Sequence, residues 1–338
     1  MSAKPPLSDR LLDWYDAHRR DLPWRTPAPD PYRVWLSEVM LQQTTVAAVT
    51  PRFRAWVARW PDFAALAAAS DEEVMGAWAG LGYYARARNL LACARVVTAL
   101  GGWPTTEAEL RALPGIGDYT AAAIAAIAFG RRAVVIDANV QRVVARLFAL
   151  SEKAAVRGHA ETITPQVRAG DFAQAMMDLG ATVCTARAPR CLLCPLRGDC
   201  AGHASGTPEA FPARPAKAAR PVRHGTIFWL EAERHVLLVR RPPRGLLGGM
   251  RALPTGPWQE DAPGLTGAPV AADWRLLNHH IAHVFTHFRL ECRLAMARVA
   301  AQEAPDDGLW WPIDGLEDAG LPTLFARAAA SFGRAQCD

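Results

Sequence analysis

Four cysteines in one short segment constrain the fold of this chain more than any other feature. They follow the spacing C-x6-C-x2-C-x5-C and are Cys184, Cys191, Cys194 and Cys200. Four thiolates at such spacing can surround one metal centre. Structural zinc sites usually carry two close cysteine pairs, whereas only Cys191 and Cys194 are close here. The spacing therefore favours a cubane iron–sulfur cluster, although it matches neither common ferredoxin spacing. Zinc, or four unrelated buried cysteines, are the alternatives.

Disulfide bonds are the weaker interpretation of these cysteines. The chain has seven cysteines, an odd number. Its first segment carries Lys4 and Asp9 without an apolar core, so we expect no secretory leader. A reducing cytosol leaves thiols free to bind metal. Cys93, Cys292 and Cys337 stand alone, which is typical of packing or surface residues.

Length and composition bound the class of protein. The 338 residues, of which 51% are hydrophobic, supply enough material for two or three domains. We expect no membrane span, because even the alanine-rich stretch 121–129 ends at Gly130. The net charge of +5 permits an anionic partner such as nucleic acid without requiring one.

Composition changes once, after the last of the four cysteines. Residues 201–222 contain four prolines and almost no apolar periodicity, which predicts a semi-extended linker. Before the linker, apolar residues recur at helical spacing. Two such sets are Leu90, Leu91, Ala94 and Val97, and Val140, Val143, Val144 and Leu147.

Strand-forming residues follow the linker. Residues 225–230 and 235–240 are rich in β-formers, with a predicted hairpin turn at 231–234, and 285–290 predicts another strand. The sequence therefore predicts a multidomain protein: an all-α domain at 1–200, the linker at 201–222, and an α+β domain at 223–338.

A glycine-rich segment, L-P-G-I-G-D-Y-T-A at 113–121, precedes an alanine-rich helix. Gly115 and Gly117 let the backbone turn tightly, and the free N–H groups at the start of the helix can bind a phosphate. The pattern resembles the hairpin of a helix-hairpin-helix element, which binds a DNA backbone without reading its sequence. An ordinary helix start with Asp118 as N-cap is the alternative.

The order of these motifs resembles the endonuclease III superfamily of DNA glycosylases. The hairpin is followed by V-V-I-D-A-N-V at 134–140 and then by the four cysteines. The segments at 22–25, 37–44 and 80–89 (L-P-W-R, S-E-V-M-L-Q-Q-T and G-L-G-Y-Y-A-R-A-R-N) are similar to those of MutY-type adenine DNA glycosylases. The resemblance covers residues 7–200 densely and the C-terminal domain more thinly.

The resemblance implies base excision repair, in which adenine mispaired with 8-oxoguanine, or with G, is removed by hydrolysis of its N-glycosidic bond. It also implies a 4Fe–4S cluster held by the four cysteines and double-stranded DNA as partner. A monomeric, cytoplasmic, nucleoid-associated protein of bacterial type is expected.

Cleavage of a purine N-glycosidic bond needs an acid for the departing base and an anion for the oxocarbenium-like sugar. Glu38 lies in an apolar context that can raise its pKa. By resemblance, it protonates adenine N7 and afterwards activates water. Asp137 precedes a helix that starts at Ala138, which predicts an N-cap. By resemblance, it also stabilises the sugar cation, with Asn139 and Tyr119 beside it, and a cap fixes a carboxylate for that purpose.

Tyr119 favours a monofunctional enzyme. Bifunctional relatives such as endonuclease III carry a lysine at this hairpin position, whose amine forms a Schiff base with the sugar. The three lysines of this chain are Lys4, Lys153 and Lys217, and none is expected to act as a lyase nucleophile. Gln141 stands where some relatives carry a lysine, which argues against even weak lyase activity.

Attack on a bond inside a duplex requires base flipping. Residues that match family members wedging into the stack or binding DNA are Gln43, Thr44, Leu81 and Tyr83. Trp24, Arg25 and Gln174 match residues around the extruded adenine. Core packing is the alternative for Trp24 and Tyr83, as it is the prediction for Tyr84.

Residues 240–250 resemble the Nudix-like domain of the same family. The carboxylate-rich metal motif of Nudix hydrolases does not follow, since Glu260 and Asp261 are the only acidic residues in 251–270. Without clustered carboxylates to hold a metal ion, pyrophosphohydrolase activity is not expected. The segment Phe285-Thr286-His287 matches the family's Phe-Ser-His loop that recognises 8-oxoguanine, with Thr in place of Ser. A metal site or a solvated surface formed by His279, His280, His283 and His287 is the alternative.

Two other functions compete with adenine excision. One is a pyrimidine (T or U) mismatch glycosylase of the same superfamily, which the C-terminal domain argues against. The other is a non-catalytic DNA-binding protein. Glu38 and Asp137 argue against it, because binding alone needs neither carboxylate.

Overall fold

The computed structural model describes residues 5–213, 220–242, 245–300 and 308–335. Lys4, Lys217 and Cys337, and two residues of the Nudix-like segment, 243 and 244, lie outside these ranges. The chain divides into two compact units. Met1–Ala69 and Asn89–Ala216 form the helical unit, and Ser70–Arg88 and Lys217–Asp338 form the sheet unit.

The helical unit contains the predicted all-α architecture. Its first helices are α1 (Leu7–His18), α2 (Pro31–Leu41), α3 (Val46–Arg59) and α4 (Phe63–Ala67). The chain then passes through α5 (Asp71–Trp78) and the first turn of α6 (Ala85–Ala99), which belong to the sheet unit. The remaining helices are α7 (Glu107–Arg111), α8 (Asp118–Ile127), α9 (Ala138–Leu147), α10 (Val156–Ile163), α11 (Ala169–Thr182) and α12 (Ala201–Ala204).

Small side chains place α8 at the centre of the helical unit. Residues Thr120–Ala126 of this helix are all buried, and α8 packs against α2, α7 and α11. A Cβ atom at Gly170 would lie 2.4 Å from the carbonyl oxygen of Ala126, so only glycine lets α11 approach so closely. The two predicted apolar helix faces, on α6 and α9, are buried as expected.

The predicted helix-hairpin-helix is present as α7, a hairpin, and α8. Position 115 requires glycine for two reasons. Its φ is +74°, and a Cβ there would lie 2.6 Å from the Cβ of Asn89. Gly117, not Asp118, occupies the N-cap of α8. The alternative with Asp118 as cap is therefore wrong, because that carboxylate points to Arg111, 2.9 Å away.

The four-cysteine segment is an irregular loop between α11 and α12, with 3-10 turns at Cys191–Leu193 and Arg197–Asp199. Residues at the start of the predicted linker are not extended, since 201–204 form α12 and 208–210 a further 3-10 turn. Gly202 explains the difference: a Cβ there would lie 2.6 Å from the carbonyl oxygen of Arg146, so this turn packs onto the end of α9.

The sheet unit is an α+β fold, as predicted. Its strands are β1 (Val222–Ala232), β2 (His235–Arg240), β3 (Arg251–Ala252), β4 (Arg275–Val284), β5 (Arg289–Arg298) and β6 (Gly308–Pro312). The sheet order is β3-β2-β1-β5-β4, with β6 paired to β2, and β1 runs parallel to β5. Helix α13 (Thr323–Ala335) covers the sheet. No helix within the described residues is long and apolar enough to cross a bilayer.

The first predicted hairpin is confirmed. Strands β1 and β2 pair antiparallel, and Glu233 and Arg234 form the turn with φ of 46° and 61°. The predicted strand at 285–290 is wrong for 285–288, and only 289–290 lie in a strand. Strand β4 ends at Val284 and β5 begins at Arg289, and the residues between form a tight turn in which Phe285 N–H donates to Phe288 O (2.9 Å).

Candidate functional site

Glu38 is a buried carboxyl at the centre of the helical unit. It lies on α2 among apolar neighbours, with 8% of its surface exposed. Burial, reinforced by the charge of Asp137, raises the pKa of Glu38 to about 7, against the lowering effects of a hydrogen bond from Tyr119 and the charge of Arg25. Glu38 can therefore hold a proton near neutral pH, as the sequence predicts.

Tyr119 lies on the first turn of α8 and donates a hydrogen bond to Glu38 Oε2 (2.6 Å). Burial and the neighbouring Glu38 raise the pKa of Tyr119 well above its ordinary value. The phenol thus stays protonated and can always donate. It orients the carboxyl while leaving Glu38 Oε1 free of this bond.

Asp137 is the N-cap of α9, as predicted. Its Oδ1 accepts from Val140 N–H (2.6 Å), and its Oδ2 accepts from Asn139 Nδ2 (2.8 Å). Both oxygens are thereby fixed in position by hydrogen-bond donors. The predicted partnership of Asp137 with Asn139 is present, and the charge of Asp137 contributes to the raised pKa of Glu38.

A cavity opens beside Glu38. Its wall includes the predicted adenine-contacting residues Trp24, Arg25 and Gln174. Trp24 is also a core residue, 7% exposed and edge-on to Phe53, so packing and cavity lining coexist. Gln174 Nε2 donates one long hydrogen bond to the carbonyl oxygen of Gly170 (3.5 Å). This bond does not use the side-chain oxygen of Gln174, which can accept from a ligand.

Sequence reasoning missed two residues at this cavity: Arg20, which lines it, and Asp178, which binds the lining residue Arg25. Asp178 on α11 is completely buried and accepts from both guanidinium nitrogens of Arg25 (2.6 and 2.9 Å). It also accepts from Arg20 Nε (2.6 Å), and Arg20 lines the cavity too. Burial alone would raise the pKa of Asp178, but these bonds hold it below its ordinary value. The available signal was a single carboxylate inside the apolar helix segment M-M-D-L-G.

Arg142 connects the catalytic end of α9 to α11 and the cysteine loop. Its guanidinium donates to Asn139 Oδ1 (2.9 Å), Gly180 O (2.6 Å) and Cys184 O (2.8 Å). A Cβ at Gly180 would lie 2.6 Å from the Cβ of Asn139, so glycine permits this close helix contact. The orientation of Asn139, and through it Asp137, depends on this junction.

The four cysteines of the loop line one cavity together with Arg146 and His203. In the described ranges, no three His, Cys, Asp or Glu side chains are grouped as ligands of a single metal ion. Burial raises the pKa of Cys194 to about 11 and also raises that of Cys200. These thiols therefore need a cationic partner in order to ionise.

Most predicted DNA-contacting residues of the helical unit are on its surface. Gln43, with φ of 57°, Gly115 and Gly117 are exposed, and Thr44 is half-buried. The neighbouring Gln42 reaches Thr120 Oγ1 (3.4 Å). These positions leave Gln43 and the hairpin amides accessible to a ligand.

Tyr83 and Leu81 belong to the sheet unit. Leu81 and Tyr84 are buried, whereas Tyr83 is 49% exposed, so the core alternative for Tyr83 is wrong. The Tyr83 hydroxyl lies 3.3 Å from Thr286 Oγ1. Thr286 and His287 are exposed at the β4–β5 turn, while Phe285 is half-buried against Trp258 and Phe288. Of the four histidines in the alternative, His279, His280 and His287 are exposed, whereas His283 is half-buried and edge-on to Phe285.

Comparison with known proteins identifies the family. Residues 36–166 match the HhH-GPD superfamily of base excision DNA repair proteins, and residues 226–331 match the NUDIX domain. The adenine DNA glycosylase of Mus musculus is 36% identical over 390 residues, covering 94% of this chain and 76% of that protein. This chain belongs to the adenine DNA glycosylase family.

Two further similarities define the extent of the match. The adenine DNA glycosylase of Homo sapiens is 36% identical over 353 residues, covering 83% of this chain, and this chain spans 64% of the length of that relative. A solved thermostable thymine-DNA glycosylase is 31% identical, with a TM-score of 0.54 over 59% of this chain and 95% of that one. The predicted family, the helical glycosylase domain and the Nudix-like second domain are therefore confirmed.

Proposed function

We propose that this chain is a monofunctional adenine DNA glycosylase that hydrolyses the N-glycosidic bond of adenine mispaired with 8-oxoguanine or with G. The observation that carries the proposal is the buried Glu38, whose pKa of about 7 and hydrogen bond from Tyr119 suit a general acid. The partner is double-stranded DNA, bound by a monomer in a nucleoid-associated, cytoplasmic setting.

The two carboxyls divide the chemistry. Protonated Glu38 gives its proton to N7 of the extruded adenine, which weakens the bond to the sugar. Asp137, whose oxygens are held in place by Val140 N–H and Asn139, stabilises the oxocarbenium-like sugar. Glu38, now ionised, then accepts a proton from the attacking water, so one turnover restores its acid form.

The cavity beside Glu38 supplies the base-binding surface. Trp24 offers an aromatic face, and the Gln174 amide and the Arg25 guanidinium offer hydrogen bonds to a purine edge. Asp178 holds Arg25 in place from the buried side. Tyr119 occupies the hairpin position at which a lyase needs an amine, which supports hydrolysis without strand cleavage.

The four-cysteine loop fits a 4Fe–4S cluster. The four cysteine thiols line one cavity, which suits a cluster held by four thiolates. Cys184, Cys191, Cys194 and Cys200 would hold the cluster. When bound, it would fix an irregular loop that has little regular secondary structure of its own.

The exposed β4–β5 turn is suited to recognise the base opposite adenine. Thr286 and His287 present a hydroxyl and an imidazole, and Tyr83 lies beside them in the same unit. Gln43 and Thr44 are proposed to support the opened stack, and Gly115 and Gly117 to bind the DNA backbone. Leu81 is buried and would have to become exposed to take the predicted role in the stack.

Incubation of the purified protein with four duplexes tests the function. The duplexes carry A:8-oxoG, A:G, T:G and U:G, and alkali afterwards reveals abasic sites. We expect strand breaks for the two adenine duplexes, and only after alkali. Excision of T or U would favour the pyrimidine alternative, breaks without alkali would contradict the monofunctional assignment, and binding without any excision would favour a DNA-binding protein.

A further inference from the structure

Arg146 is a buried guanidinium that the proposed reaction does not use. It lies on α9 with 2% of its surface exposed. Its donors point to main-chain carbonyls, namely Thr185 O (2.6 Å), Ala186 O (3.2 Å), Phe211 O (3.3 Å) and Cys184 O (3.4 Å). Among the residues with described positions, no carboxylate pairs with it. A buried charge without a counter-charge is costly, so this arginine needs an explanation.

The same residue contacts both ends of the four-cysteine segment. Arg146 NH1 lies 3.4 Å from Cys184 Sγ, the first cysteine. The Arg146 carbonyl oxygen lies 3.4 Å from Cys200 Sγ, the last one. Gly202 allows this second approach, because any Cβ there would meet that carbonyl oxygen at 2.6 Å.

These contacts explain the missing counter-charge. Four cysteines that bind a metal centre do so as thiolates, which brings negative charge to the cavity that Arg146 lines. We propose that Arg146 is the positioning residue that ties the two ends of the cysteine loop to α9 and balances the charge of its thiolates. This inference rests on the proposed cluster, and it assigns Arg146 a role in cluster retention and reduction potential.

Two substitutions separate the two parts of this role. Arg146→Lys keeps the positive charge but cannot donate to several carbonyls at once. Arg146→Met removes both. Arg132→Met is the matched control, since Arg132 also donates to main-chain carbonyls, those of Thr164 and Glu161, at a different helix end.

The readouts are iron content, the rate at which a chelator bleaches the cluster absorbance, and the reduction potential measured on the full-length holoprotein. We expect Arg146→Lys and Arg146→Met to lose iron roughly 10–100-fold faster than wild type, as loss of outer-shell support does. Only Arg146→Met should shift the potential, to a more negative value, because a positive charge near the cluster favours the reduced form. Arg132→Met should match wild type in both.

Wild-type rates of iron loss in Arg146→Lys would overturn the loop-closing role, and this variant decides it if Arg146→Met does not fold. Equal potentials in folded Arg146→Met and wild type would overturn the charge-balancing role. Wild-type protein that contains no iron would overturn the cluster itself, and the inference with it. That result leaves adenine excision to be judged separately by the duplex assay.

Discussion

Burial and three neighbours have opposing effects on the pKa of Glu38, and their balance sets its chemistry. Burial is the largest influence on its pKa, and Asp137 acts in the same direction, while Tyr119 and Arg25 act against them. The result, about 7, lies where a group can both donate and accept a proton at neutral pH. One carboxyl can therefore serve both halves of the proposed reaction.

Replacement of Glu38 by Gln should lower the excision rate by about 10²–10⁴-fold while duplex binding persists, because the amide keeps the shape but cannot donate the proton. Single-turnover excision and a binding assay on an A:8-oxoG duplex measure the two effects. Glu152→Gln, at an exposed glutamate with no capping bond, is the control. Wild-type turnover by Glu38→Gln would remove this residue from the mechanism.

The raised pKa of Glu38 also predicts a pH dependence. The acid form is the reactive one, so single-turnover excision should fall as pH rises through about 7. Folding is linked to the same proton: the folded state holds it more tightly than the unfolded chain, so stability should fall as pH rises from about 4.5 to about 7. Thermal unfolding of wild type and Glu38→Gln across this range checks the sign, since the variant should lack this loss. Identical pH profiles in both proteins would contradict the assignment.

Sequence patterns reveal residues whose role is local and miss those whose partners are distant. Asp137 was predictable as a cap because it stands one residue before its helix. The Asp178–Arg25 pair was not predictable, since the two residues are 153 positions apart and neither local sequence indicates the partner. A buried carboxylate in an apolar helix predicts that a partner exists, but only the fold identifies it.

At the scale of elements, the junction of α9 with α11 governs the geometry of Asp137. Gly180→Ala should lower the excision rate with a smaller effect on DNA binding. The added Cβ would lie 2.6 Å from the Cβ of Asn139 and must displace the residue that donates to Asp137. Single-turnover rates on an A:8-oxoG duplex measure the effect.

Gly158→Ala is the matched control for this substitution. Gly158 lies on α10, and nothing is within 4 Å of a Cβ built there. A helical Gly-to-Ala change at an open position should raise stability by roughly 0.5–1 kcal/mol and leave excision unchanged. If both alanine variants excise adenine at the wild-type rate, close packing at Gly180 does not position Asp137.

Helices whose apolar residues recur at helical spacing were predictable from the sequence, whereas segments whose conformation depends on tertiary packing were not. The apolar faces of α6 and α9 follow helical spacing and are buried. Residues 285–290 have strand-like composition, yet Phe285 and Phe288 pack against each other across a turn, with ring centroids 4.9 Å apart. Composition alone cannot distinguish a strand from a hairpin tip whose rings pack together.

At the scale of the whole molecule, the sheet unit includes Ser70–Arg88, a segment from the first third of the chain. Glu72 on α5 pairs with Arg240 and Arg251 (3.1 Å each), and Arg88 donates to Gly248 O. Deletion of residues 223–338 would therefore also remove the residues to which 70–88 bind. Point substitutions in the β4–β5 turn are the cleaner test of recognition of the opposite base.

His287→Ala should reduce the preference for A:8-oxoG over A:G, because loss of one hydrogen bond at a base edge costs about 1–3 kcal/mol in discrimination. His279→Ala, at an exposed histidine on β4, is the control. Thr286→Ser keeps the hydroxyl that lies 3.3 Å from Tyr83 and removes only the methyl, so it should be near neutral unless that methyl touches the base. Single-turnover rates on the two duplexes give the ratio. An A:8-oxoG to A:G ratio that stays at the wild-type value in His287→Ala would show that this imidazole does not read the lesion, even if Glu38 and Asp137 perform the chemistry as proposed.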